Sequence, residues 1–183
     1  MKRVKVNGEW FDIMLTEEQI RARIVELGRQ ITNDHKGVVP IFIGVLNGAY
    51  IFLADVMREY DGECEMDFVK LSSYGDSKIS SGKVNLVKDF SAKIDGRHVI
   101  IVEDVIDSGL SITFVRNLFL SHNPASLKVA SFFHKRDVAK VDFPIDYVAF
   151  DISKEFVIGY GLDYAQKARN LKDVYVLSPN QKD

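Results

Sequence analysis

Residues 99–111, Val-Ile-Ile-Val-Glu-Asp-Val-Ile-Asp-Ser-Gly-Leu-Ser, constrain this chain more than any other stretch. Four apolar β-branched residues at 99–102 make the continuous run that a strand buried on both faces needs. The run stops at Glu103 and Asp104, Asp107 follows, and Ser108, Gly109, Leu110 and Ser111 lead into Ile112, Val115, Leu118 and Phe119 at helical spacing. Strand, acidic turn, small-residue loop and helix start together describe the carboxyl end of a strand in an open α/β sheet, where ligands bind. Three carboxylates placed there must be held apart, wetted, or neutralised by a cation such as Mg²⁺. The loop adds backbone N–H groups and two hydroxyls at a helix N-terminus, which is an anion site. Acids beside such a cradle point to a sugar phosphate. An ordinary capped helix start would account for Asp107 and Ser108, but not for two adjacent carboxylates on the end of a buried strand.

The rest of the chain fits one α/β domain. Its 183 residues suffice for a core, and 46% hydrophobic with 27% charged residues excludes disordered and fibrous classes. A net charge of −2 argues against a general nucleic-acid binder. Cys64 is alone, which favours a reducing compartment. Lys2, Arg3 and Lys5 precede no apolar run, so no signal peptide is expected. Residues 38–57 approach membrane-spanning length but are broken by Pro40, Gly44, Asn47, Gly48 and Asp55, so no membrane partner is expected and the location is cytoplasmic.

In order, short strands are expected around the Asn7-Gly8 turn, then a helix opened by the capping box Thr16-Glu17-Glu18-Gln19, with Ile20, Ile24, Leu27 and Ile31 as its stripe. A buried strand over 38–45 and a helix over 49–59 flank Leu46-Asn47-Gly48, a tight connection able to present N–H groups to a second anion, or simply an ordinary turn. Residues 63–71 are expected as a strand, 72–83 as a polar loop of the kind that forms lids, and 84–87 as the returning strand. Another apolar run at 127–133 ends in His134-Lys135-Arg136, and further strands are expected at 147–150 and 174–177. Gly159-x-Gly161 lacks a third glycine and opens no βα unit, so it is not a dinucleotide fingerprint. The four histidines are scattered, and no serine or cysteine lies in a nucleophile elbow.

The stretch Val-Glu-Asp-Val-Ile-Asp-Ser-Gly-Leu-Ser closely resembles the phosphoribosyl-pyrophosphate (PRPP) motif of the type I phosphoribosyltransferases, with serines at 108 and 111 where most members carry threonines. Lys135 and the segment 156–164, Phe-Val-Ile-Gly-Tyr-Gly-Leu-Asp-Tyr, are similar to the branch that acts on 6-oxopurines, and the resemblance spans residues 10–178. It implies a mostly parallel twisted sheet with helices on both faces, in a single domain over 1–183. The core would cover about 15–150, with a small hood built from about 1–14 and 151–183. The implied reaction is purine salvage: 5-phosphoribosyl passes from PRPP to hypoxanthine or guanine, giving IMP or GMP and pyrophosphate. By resemblance, Glu103 and Asp104 hold the ribose and its Mg²⁺, and 108–111 hold the 5′-phosphate. Asp107 is the acid/base partner of purine N7. Leu46, Asn47, Gly48, Ser73, Tyr74 and Arg169 would contact pyrophosphate. Family members often carry a basic residue at position 47; asparagine there leaves a backbone contact. Lys135 would bind the exocyclic oxygen, Phe156 would stack on the base, the Val157 backbone would meet its edge, and Asp163 would take part in binding a second Mg²⁺ beside the base. A homodimer or homotetramer is implied. A same-fold enzyme for xanthine or uracil, and a regulator that keeps the PRPP site without turnover, remain alternatives.

Overall fold

The structure is a computed structural model that describes residues 2–73 and 84–182. Its elements run β1 (Arg3–Val6), β2 (Glu9–Leu15), α1 (Glu17–Asp34), β3 (Ile41–Leu46), α2 (Tyr50–Glu59), β4 (Glu65–Ser73) and β5 (Val84–Lys88). They continue with β6 (His98–Ile106), α3 (Leu110–Leu120), β7 (Ser126–His134), β8 (Tyr147–Asp151), β9 (Val157–Ile158) and β10 (Val174–Leu177). The expected lid residues from Tyr74 to Lys83 lie outside the described residues.

The central sheet has the order β5-β4-β3-β6-β7-β8 and is parallel except for β5, which returns antiparallel on β4. Strand order reverses between β3 and β6. From β3 the chain steps outward through α2 to β4, and from β6 it steps the other way through α3 to β7. Right-handed crossovers in opposite directions put the two helices on opposite faces, and the crevice at the reversal is where open α/β sheets bind ligands.

Sequence pattern fixes both faces. The Thr16 hydroxyl accepts the Gln19 N–H while the Gln19 side chain accepts the Thr16 N–H, closing the expected capping box. Behind it, Ile20, Ile24, Leu27 and Ile31 pack with Phe52, Leu53 and Val56 of α2 against Phe42, Ile100 and Val102 of the sheet. The other pleat positions, Ile41, Ile43, Val99 and Ile101, meet Ile112, Val115 and Phe119 of α3. Fully burying one such side chain stabilises by about 1.5–3 kcal/mol.

A second, antiparallel sheet of order β1-β2-β10-β9 joins the two ends of the chain around Phe11, Ile158 and Tyr175. Asp173 fastens it to the core: one carboxylate oxygen accepts the Glu17 N–H at the start of α1, and the other accepts from Lys2 and from the Tyr175 hydroxyl.

Candidate active site

The acidic pair does not lie in a turn, as the sequence suggested. β6 continues through both residues to Ile106, with Glu103 in register with Ser131 of β7. The pleat therefore sends the two carboxylates different ways. Glu103 lines a cleft of about 70 Å³ with Asp107, Ser108, Gly109, Ser111 and Ile112. It is 7% exposed, and its Oε2 has no hydrogen-bond partner among the described residues. Desolvation, reinforced by the neighbouring Asp104 charge, holds its pKa well above the ordinary carboxylate value. Asp104 turns toward the β3–α2 connection. Its Oδ1 accepts the Val105 N–H at 2.8 Å, and a Cβ on Gly48 would lie 1.5 Å from its Oδ2. The residue as a whole is half-buried, and walled in this way its carboxylate has its pKa pushed up by burial to about 6. The Val105 N–H and the Arg169 charge oppose that rise.

Past the strand, Gly109 is the N-cap of α3 in a left-handed conformation, φ +90°, and so brings no side chain of its own to cap the helix. Ser108 Oγ accepts the Leu110 N–H at 3.4 Å, and the next N–H groups of α3 are left for an anion in the cleft. Lys140 donates its N–H to Ser108 O at 3.1 Å, so the segment after β7 supports this loop from behind. From the same segment Lys135 reaches across and donates to Asp107 Oδ2 at 3.0 Å. Its side chain is 13% exposed against 56% for Asp107, so it is not a solvated surface lysine.

Opposite lies a seam that the sequence did not reveal. Gly161, at φ +96°, approaches the β3–α2 connection so closely that a Cβ there would be 2.3 Å from Gly48 O. Arg169 donates to Gly161 O at 2.8 Å and pairs with Asp163 at 2.6 Å, and Asp163 Oδ2 accepts the Gln166 N–H. Gly48, Asp104, Asp163 and Arg169 thus come together. Leu46 is half-buried and Asn47 is exposed, with the Leu46–Asn47 peptide cis. On the hood, Phe156 is 43% exposed and edge-on to Tyr164 with ring centres 5.3 Å apart, while Val157 is buried in β9. Ser73 ends β4, and Tyr74 falls outside the described residues.

Among the described residues no three Asp, Glu, His or Cys side chains gather as a ready cation cage, so Glu103, Asp104 and Asp163 are not a preformed metal site by themselves. Their chemistry still suits Mg²⁺. The ion favours hard oxygen donors and typically takes one or two carboxylates together with substrate phosphates, and an unpartnered buried carboxylate oxygen is available.

A switch-point crevice with acids on one strand and an anion loop downstream suits a phosphorylated sugar, and comparison with known proteins gives the class of the chain. The family model described as "Phosphoribosyl transferase domain" matches residues 12–165, and the chain belongs to this family. Its relatives narrow the class further. The hypoxanthine-guanine phosphoribosyltransferase of Bacillus subtilis is 41% identical over 167 residues, covering 91% of this chain and 93% of that protein. The Mycobacterium tuberculosis protein of the same name is 43% identical over 178 residues, covering 94% of this chain and 88% of the relative. A crystal structure of a hypoxanthine-guanine phosphoribosyltransferase from Bacillus anthracis superposes with a TM-score of 0.86 at 40% identity, covering 91% of this chain and 98% of that one.

Proposed function

We propose that this chain performs purine salvage, transferring 5-phosphoribosyl from PRPP to a ring nitrogen of hypoxanthine or guanine and releasing pyrophosphate with IMP or GMP. The observation that carries the reading is the Lys135–Asp107 hydrogen bond at the mouth of the anion loop. On a 6-oxopurine, O6 and N7 are adjacent acceptors on one edge. An ammonium only donates, so it complements O6 and opposes a 6-amino group. The carboxylate bonded to it then faces N7, where it holds or accepts a proton and keeps the attacking nitrogen electron-rich.

The ribose hydroxyls fall to Glu103 and Asp104, and the 5′-phosphate to residues 108–111 with the N–H groups of α3. Pyrophosphate is met by the backbone of Leu46, Asn47 and Gly48, by Arg169, and by Ser73 and Tyr74. Phe156 offers a ring face to the base, and the Val157 backbone reads its edge. Bound Mg²⁺, with Glu103, Asp104 and Asp163 as its protein donors, would neutralise charge on the leaving pyrophosphate. Bond breaking ahead of bond making leaves positive charge on the ribosyl carbon. This route needs no covalent nucleophile, only a fixed ribose and a base held in line. A cytoplasmic homodimer or homotetramer belongs to the same proposal; no described helix is long and apolar enough to cross a membrane.

The test mixes protein, PRPP and Mg²⁺ with hypoxanthine, guanine, xanthine, adenine or uracil in turn, and measures the nucleotide formed. IMP and GMP are the expected products; UMP alone, or PRPP binding with no turnover, would overturn the reading. In Lys135→Met the preference for hypoxanthine over adenine should shrink by about 10- to 100-fold, the scale of one hydrogen bond to a charged group. An unchanged preference would detach Lys135 from the base.

A further inference from the structure

The hairpin carrying Asp163 and Arg169 begins where the chain leaves β9, and something must hold it over the β3–α2 connection. We propose that the hydroxyl of Tyr160, bonded to Asp55 of α2, is a positioning contact that fixes the pyrophosphate side of the site, an inference that rests on the reaction proposed above.

The Tyr160 hydroxyl donates to Asp55 Oδ2 at 2.8 Å, across 105 positions of sequence. The residue is 6% exposed, and its ring lies 4.6 Å centre to centre from Phe132 in the core. Its backbone is at φ +51°, a region that residues with a Cβ seldom occupy, so local preference does not place it there. Tertiary contacts hold it instead. The Tyr160 N–H goes to Leu171 O, the Gly161 N–H to Arg169 O, and the Arg169 guanidinium returns to Gly161 O. Burial, with the nearby Asp55 charge, drives the phenol pKa upward, so the hydroxyl stays a donor.

Geometry gives that donor its role. Asp55 is on the helix that follows Gly48, and Tyr160 immediately precedes Gly161, whose missing side chain lets it abut Gly48 O. The hydrogen bond therefore joins the two bodies just beside the place where they touch. Beyond it lie the Arg169–Asp163 pair and, across Gly48, the Asp104 carboxylate. A phenylalanine would fill the same space in the core. The hydroxyl adds a directional tie between the hairpin and α2 to the apolar packing they share, and the groups it aligns are those assigned to pyrophosphate and its cation. Asp55 is 37% exposed at its side chain and has Arg58 at 3.8 Å, on the wall of a groove of about 530 Å³ between α1, α2 and the hairpin. Its charge is thus met by a second partner, and its removal does not strand a buried ion.

The experiment titrates PRPP with Mg²⁺ into wild type and variants calorimetrically, alongside steady-state kinetics and thermal unfolding. In Tyr160→Phe the Kd and KM for PRPP should rise about 5- to 30-fold, less than the full worth of one hydrogen bond to a charged group because the contact acts on the site through position. The KM for the base should rise less than that for PRPP, since Lys135 lies after β7 and Phe156 packs on Phe11 of β2 as well as on Tyr164 of the hairpin. Asp55→Ala should reproduce this pattern, and the double variant should be no worse than either single one. Asp55→Asn keeps an acceptor oxygen and should restore most of the affinity. A lower Tm with unchanged PRPP affinity, or equal losses for PRPP and base, would overturn the positioning role and leave the proposed reaction standing. Should Tyr160→Phe fail to fold, Asp55→Ala and Asp55→Asn decide the point alone. Wild type that binds no PRPP would overturn both.

Discussion

The loop after β6 takes its ligand-facing groups from one run of the chain, Glu103 to Ser111, whereas the seam across the crevice joins Gly48, Asp104, Gly161, Asp163 and Arg169 from three separate places. The first needs only a strand that ends, a left-handed glycine and a helix that begins. The second exists only when the hood is docked, because its closeness comes from two missing Cβ atoms facing backbone and carboxylate. Chemistry carried by a continuous loop is expected to fail one residue at a time. A seam is expected to fail as a unit, through geometry, even when no group that touches substrate is changed.

The largest effect should come from the loop. Asp107→Asn keeps size and the Lys135 neighbour but removes the proton acceptor, and kcat should drop by about 10²–10⁴ while PRPP affinity changes little. Retained turnover would move the acid/base role elsewhere and leave the loop as a phosphate cradle only. The seam comes next. Gly48→Ala would set a methyl group 1.5 Å from Asp104 Oδ2, so the Asp104 carboxylate must swing away or β3–α2 and β6 must separate. Displacement of about 1 Å at a site can lower rates about 100-fold, so kcat/KM for PRPP should fall by that order. If activity survives, the β3–α2 connection and β6 are not tightly joined at Gly48.

The smallest effect tests Asp104, which belongs to both regions. Its folded-state pKa of about 6 lies above the ordinary 3.8, so the folded protein keeps a proton there that the unfolded chain releases. Without ligand, this group makes stability decline as pH rises from about 4 to about 6, and Glu103 acts in the same direction. Asp34, Asp67 and Asp173 have lowered pKa values, and their stabilisation is lost only as pH falls below the ordinary carboxylate range. In the role proposed for Asp104, PRPP with Mg²⁺ takes the ionised carboxylate, so its affinity should weaken below pH 6 by up to about tenfold per pH unit. Calorimetric titrations between pH 5 and 7.5 check this, and Asp104→Asn should flatten the dependence. A flat wild-type profile would mean that Asp104 is already ionised without ligand.

Much of this arrangement was legible in the chain. The capping box at Thr16 and Gln19 forms as expected, the stripe of α1 is buried, and β10 spans Val174–Leu177 as the apolar run indicated. Lys135 and Asp107, singled out separately, turn out to be hydrogen-bonded partners. The acidic pair was misjudged in one respect, since polar residues after an apolar run suggest a strand's end, yet β7 and its register carry β6 three residues beyond Glu103. Gly159 and Gly161 served to reject a dinucleotide motif and, within the segment 156–164, to support the resemblance, but neither use told what the glycines face. Their positive φ values, and the partner facing Gly161, depend on where Gly48 and Asp173 lie. Asp55 offered no sign at all, because one exposed-looking carboxylate on an amphipathic helix resembles every other.

The sequence alone determined the alternation of buried strand and amphipathic helix, the acids and small residues at the end of β6, and so the kind of ligand such an end can hold. These are local properties, written in the spacing of apolar side chains and in backbone preferences over a few residues. Only the tertiary structure decided that Glu103 and Asp104 point apart, that Arg169 reaches Gly161 and Asp163 beside Gly48, and that Tyr160 meets Asp55. The reason is steric. Distances between residues about 100 positions apart are set by how two packed bodies close on each other, and no short window of sequence contains both of them.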